Sequence, residues 1–221
     1  MTTMTKAELL RSALPGDLIG LSRGGFVGHT IRTAAKLSSP KVPYRKTWSH
    51  VGIVYYPRDG KPTLLESTTM NTSPDLATGA MRNGVSLVDL GDRLDTVKGR
   101  VWWRPMLRMS PERANDVSKT WYGLIDPDEF SWAYRQVMGV SYENLHSVSG
   151  LWNMVDASLF DWMHIGDESK ENRRLFCSEM VAHVAKVLFT DRFVCPRPSQ
   201  VEPTDLAVKW NNIWAEAWEV E

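Results

Sequence analysis

Cysteine is scarce in this chain: only Cys177 and Cys195 occur among 221 residues. Two are too few for a disulfide framework, and neither has the CxxC or CxxxxH spacing of a zinc site, so a reducing compartment is expected and no metal or other cofactor is implied. Long apolar runs are also missing. No stretch approaches the roughly 18 apolar residues of a membrane span. The opening MTTMTKAELLRSALPGDLIG has no basic segment followed by an uninterrupted apolar run, so it does not read as an export signal. These absences predict a chain made and kept in the cytoplasm unless other machinery releases it. Neither sign of charge is in excess: Lys plus Arg and Asp plus Glu number 26 each. The long-range field of a nucleic-acid or anionic-membrane binder is therefore not expected, although a local basic patch stays open.

What is present is ordinary for a soluble globular chain, 43% apolar and 24% charged, and the length suits one domain over residues 1–221. Tryptophan is the exception. There are ten, several between Trp132 and Trp162 and three near the C-terminus, and the simplest reading is packing, because each buries much area.

Along the chain, a short helix is predicted over Lys6 to Ser12, then a turn at Pro15-Gly16-Asp17 and a short strand, LIGLS. The glycine turn SRGGFVGH lacks a Walker lysine and dinucleotide spacing, and leads into a helix from about His29 to Ser38. WSHVGIVYY (Trp48 to Tyr56) is dense in β-branched and aromatic residues and ends at a turn, Pro57-Arg58-Asp59-Gly60. PTLLEST (Pro62 to Thr68) follows at hairpin distance, so the two should pair antiparallel, with His50 and Glu66 each near a strand end. Val85 to Leu90 and Gly99 to Met106 complete a sheet of about five strands. A helix is expected from Ser110 to Trp121, and a Trp-rich stretch of partly helical character from about 130 to 166. In FCSEMVAHVAKVLF, Cys177, Met180, Val181, Val184, Ala185 and Leu188 recur at helical spacing, giving one apolar face that must pack on the sheet. Arg197 to Asp205 reads as a loop before a Trp-bearing tail.

Cys177 falls in the first turn of its helix. Unpaired backbone N–H groups and the positive end of the helix dipole favour an anion there, and the thiolate is the attacking form of cysteine. A nearby imidazole would lower its pKa further and hold a proton for a leaving group. Taken singly, each residue has a plainer reading: a buried filler for Cys177, a hydrogen-bonded strand histidine for His50, a solvent-facing carboxylate for Glu66.

Jointly, PGDLIGLS, HTIRTAAKLSS, WSHVGIVYY, LLEST, GVSYEN (Gly139 to Asn144) and FCSEMVAHV resemble the successive blocks of the permuted papain-like cysteine hydrolases, relatives of the NlpC-type cell-wall peptidases. That resemblance implies an α+β fold with a small antiparallel sheet packed against the cysteine helix. It implies Cys177 as nucleophile, His50 as base and Glu66 as the group that orients the imidazole, with Asp17 and Tyr142 in supporting roles. Asp17 would cap a neighbouring helix or loop, and Tyr142 would line the site or assist the oxyanion donors. The stretch between Tyr142 and Cys177, with Trp152, Phe160, Trp162 and His164, looks long for the fold and reads as a lid, a substrate wall or an extra packing layer. His164 stays an alternative base. His183 lies six residues after Cys177, some 240° around the helix at about 100° per residue, and should point away. Cys195 reads as structural.

The expected activity is cleavage of a peptide, isopeptide or related acyl bond, with peptidoglycan-type peptides as the default substrate. Two alternatives stand beside it. One is a lipid acyltransferase or lipase like the lecithin–retinol acyltransferase relatives, with the Trp-rich stretch facing a membrane. The other is a non-catalytic binding or virion-structural protein on the same scaffold.

Overall fold

The computed structural model describes residues 3–23, 26–58, 61–68, 73–107, 125–138, 177–190, 192–195, 197–198 and 201–221. The elements are β1 (Thr3–Met4), α1 (Lys6–Ser12), β2 (Leu18–Arg23), α2 (Phe26–Ser38), a 3-10 turn at Tyr44–Lys46, β3 (His50–Arg58), β4 (Lys61–Thr68) and β5 (Gly84–Asp89). They continue with α3 (Leu90–Thr96), β6 (Gly99–Arg104), α4 (Pro127–Val137), α5 (Cys177–Leu188), α6 (Pro203–Val208) and β7 (Trp218–Val220). The architecture is mixed α+β.

The five expected strands lie side by side, but among the described residues the sheet has seven strands, in the order β1-β7-β6-β2-β3-β4-β5. All neighbours pair antiparallel except β1 with β7. The two added strands are two and three residues long, too short to show alternation. They form because the chain ends meet, with Lys6 N–H on the Glu221 carbonyl and Glu221 N–H on the Met4 carbonyl. Two helices also depart from expectation. α3 continues directly from β5, and α6 begins inside the expected loop, with Pro203 in its first turn. The predicted helix from Ser110 to Trp121 lies outside the described residues.

Strand alternation divides the core between the two faces of the sheet. On one face Leu18, Val51, Ile53, Leu65, Leu87 and Trp102 pack with the apolar sides of α4 and α5 and with Trp214. On the other, Ile19, Leu21, Val54, Leu64 and Val88 pack with Leu9 of α1 and Leu90 and Leu94 of α3. Gly20 allows the tightest approach: a Cβ there would fall 2.2 Å from the Trp48 indole.

Asp17 is wholly buried just before β2. Its Oδ2 accepts from Leu14 N–H and Trp103 Nε1–H, and its Oδ1 from Met106 N–H, each at 2.9 Å. The carboxylate thus caps the turn after α1 and ties it to the end of β6. Asp17→Ala strands the donors of Trp103 and Met106 in the core, and chemical denaturation should show a loss of about 3 kcal/mol. The alkylation rate of Cys177 in the folded protein should stay unchanged.

Candidate active site

The β3–β4 hairpin sets Glu66 directly opposite Gly52. His50, two positions earlier, projects from the same face and reaches Glu66 on the diagonal. The His50 Nε2 to Glu66 Oε2 distance is 2.6 Å. Both side chains are buried, Glu66 completely.

Arg93 is the member that the sequence reading missed. Its Nη2 donates to Glu66 Oε2 at 3.0 Å, and its Nε lies 2.6 Å from Oε1. The signal was there: Leu90, Arg93 and Leu94 share one helical face, and an arginine on an apolar face needs an acid facing it. Burial pushes the Glu66 carboxyl up, but the His50 hydrogen bond and charge, with Arg93 beside it, win and hold it down at about 2.

Cys177 is the first residue of α5, and the rest of its face (Met180, Val181, Val184, Ala185) anchors the helix in the core. The β3–β4 ladder runs from Gly52–Glu66 to Arg58–Lys61, so His50 and Val51 stand beyond its end. The thiol meets β3 there. It interacts with the His50 imidazole by charge and by a side-chain hydrogen bond, and backbone hydrogen bonds reach it from Val51 and Ser178. With Nε2 given to Glu66, Nδ1 is the ring nitrogen left for the thiol.

Burial alone would raise the Cys177 pKa, but His50 and the two backbone donors outweigh it, and the value falls below the usual 9.0. Burial likewise opposes charge on His50, yet the Cys177 charge and hydrogen bond, followed by those of Glu66, raise it above 6.5. Both shifts favour a thiolate–imidazolium pair. The first N–H groups of any helix have no acceptor within it, and donors of that kind can receive an oxyanion.

Three of the expected site residues, Cys177, His50 and Glu66, therefore come together. Asp17 does not join them: its carbonyl pairs with Val54 N–H at 2.8 Å, four positions along β3 from His50, or about 13 Å at the strand rise. Tyr142, His164 and the Trp-rich stretch from residue 139 onward lie outside the described residues. His183 Nε2 sits 4.0 Å from Glu179 Oε1 on its own helix and is one-third exposed. Cys195 is buried, and burial pushes its thiol up. Among the described residues no group of His, Cys, Asp and Glu could hold a metal ion, and no helix is long and apolar enough to cross a membrane.

Neither a family model nor a curated protein matches this chain.

Proposed function

We propose that the protein is a cysteine hydrolase of the permuted papain-like kind, acting on a peptide, isopeptide or related acyl bond. The observation that carries this reading is the hydrogen-bonded series Cys177, His50, Glu66, Arg93, buried where α5 and β3 begin. The order along the chain agrees with it: histidine strand, then carboxylate strand, then cysteine helix.

The Cys177 thiolate attacks the substrate carbonyl carbon, and the carbonyl π pair moves onto oxygen, which the N–H groups at the start of α5 receive. Collapse of the tetrahedral adduct re-forms the carbonyl and breaks the bond to the leaving group, which takes its proton from His50. Water then gives a proton to His50 and attacks the thioester, releasing the acid and restoring the thiolate. Glu66 holds the imidazole through Nε2 and stabilises its charge, while Arg93 acts one step back by fixing Glu66.

p-Nitrophenyl acetate tests this without knowledge of the natural substrate, because it needs only an activated nucleophile. A burst of one nitrophenolate per chain is expected, with the acetyl group found on the Cys177 peptide by mass spectrometry and no burst in Cys177→Ala. Acetylation spread over surface lysines with no burst would refute the proposal.

A further inference from the structure

Positive and negative residues balance over the whole chain, 26 of each, but not along it. From Leu18 to Arg58 there are seven Lys and Arg and no Asp or Glu. Five of the seven, Arg32, Lys36, Lys41, Arg45 and Lys46, fall on the connection that leaves β2 at Arg23 and enters β3 at His50. β2 and β3 pair antiparallel with Leu21 opposite His50, so this connection joins the sheet at the end where Cys177 meets His50. Arg45 and Lys46 come just before His50 in the chain, and full extension limits their Cα atoms to about 18 and 14 Å from it.

Most of that charge is unanswered. Lys46 pairs with Glu216 at 3.3 Å, but among the described residues none of Arg32, Lys36, Lys41 and Arg45 forms an ion pair. Arg32 lies over the Tyr44 ring, 4.7 Å from its centroid, and Lys36 donates to the carbonyls of Pro40 and Val42. These neutral partners hold α2 against the Tyr44–Lys46 turn and cancel neither charge. Lys41 and Arg45 are exposed. The β4–β5 connection opens at the same end of the sheet and supplies one acid, Asp75, and one cation, Arg82. Asp75 is buried and accepts from the N–H groups of Ala77 and Leu87 and from the Thr78 hydroxyl. In the first turn of α5 the acid is Glu179, 4.0 Å from His183 Nε2.

Exposed charge of one sign beside a site concentrates ligands of the other sign and speeds their arrival. The spacing of the cations bears on what kind of anion fits. Arg32, Lys36, Lys41 and Arg45 share no common acceptor among the described residues, whereas a phosphate is best held by donors that converge on it. Separate cations along a strip match carboxylates spaced along a peptide. We propose that the β2–β3 connection is a docking strip for an acidic peptide, with Lys41 and Arg45 as the residues that select its charge. That the docked peptide is the substrate rests on the hydrolase reading, whereas its attraction to this end of the sheet does not.

The test measures alkylation of Cys177 in the full-length protein by iodoacetate, an anion, and by iodoacetamide, its neutral counterpart of similar size. The ratio of the two rates, taken within each protein, removes any change in the thiol itself. At about 0.01 M ionic strength, where charges act over about 30 Å, Lys41→Glu with Arg45→Glu should lower the ratio by about threefold. At about 1 M, where the range is about 3 Å, the two proteins should give the same ratio. Hexaglutamate should slow wild-type alkylation at low salt, and hexalysine should not. A ratio that is equal in both proteins at low salt overturns the strip. Protection by inositol hexakisphosphate and none by hexaglutamate overturns the peptide in favour of a phosphate ligand. A wild-type thiol that reacts with both reagents no faster than N-acetylcysteine amide would instead remove the hydrolase reading, with the difference in ratio still reporting the strip.

Discussion

Glu66→Ala is expected to cost the protein more stability than any other single change at the site. Glu66 is fully buried and answers two cationic groups, His50 at 2.6 Å and Arg93 at 2.6 and 3.0 Å. Removing it leaves the Arg93 guanidinium, 2% exposed, without its carboxylate in the core, where breaking such a pair costs about 3–5 kcal/mol. For a chain of this size that is a fall in Tm of roughly 6–20 °C, measurable by calorimetry. Glu66→Gln keeps the volume but not the charge, so it should fall by nearly as much. Exchanging both partners for apolar residues of similar size, Glu66→Leu with Arg93→Met, should recover much of the loss, because no buried charge is then left alone. A Glu66→Ala protein melting with the wild type would mean that Arg93 is not held as described.

The same pair gives an acid dependence. The Glu66 pKa is lowered from 4.5 to about 2 in the folded state, so the folded protein binds fewer protons there than the unfolded chain. Its contribution is full above about 4.5 and is lost as pH falls from there toward about 2. His50 acts in the opposite direction. Its pKa is raised above 6.5 when folded, so its contribution is full below 6.5 and is lost as pH rises through the folded value.

Much of this site was legible in the sequence because its chemistry sits at element ends that have strong local signals. The β-branched run after His50, the turn signal and LLEST fixed a hairpin, and a hairpin of two such strands brings a histidine and a glutamate near each other. The helical spacing from Cys177 to Leu188 fixed the face that docks the cysteine helix. Arg93 was not read, since its segment, LGDRLDT, is too short and too charged to stand out as a helix and forms one only on the sheet face that Glu66 occupies. β1 and β7 were missed for a related reason: they gain their pairing from each other and from β6, a long-range closure that local pattern does not encode. Asp17 was read as a cap, and its carboxylate does cap the turn after α1. Its further hold on Trp103, 86 residues away in sequence, had no local signature.

The second large effect concerns the thiol itself. At pH 6 an ordinary cysteine is less than about 1% thiolate. In the folded protein Cys177 is lowered and His50 raised, so the thiolate–imidazolium pair should reach further into acid than the thiolate of an ordinary cysteine. His50→Ala removes the strongest influence opposing the burial penalty on the thiolate and leaves only the backbone donors. Its reactivity at pH 6 should drop by about a hundredfold, while Cys195, buried and pushed up, should stay silent in both proteins.

The central claim is that His50, itself held by Glu66, activates Cys177, and the pH profile of iodoacetamide alkylation at Cys177 tests it most directly. The account predicts a wild-type rate that stays high into mildly acidic solution and a His50→Ala profile displaced to alkaline pH. A wild-type profile that rises with a single ionisation near 9.0 and superimposes on that of His50→Ala would contradict it.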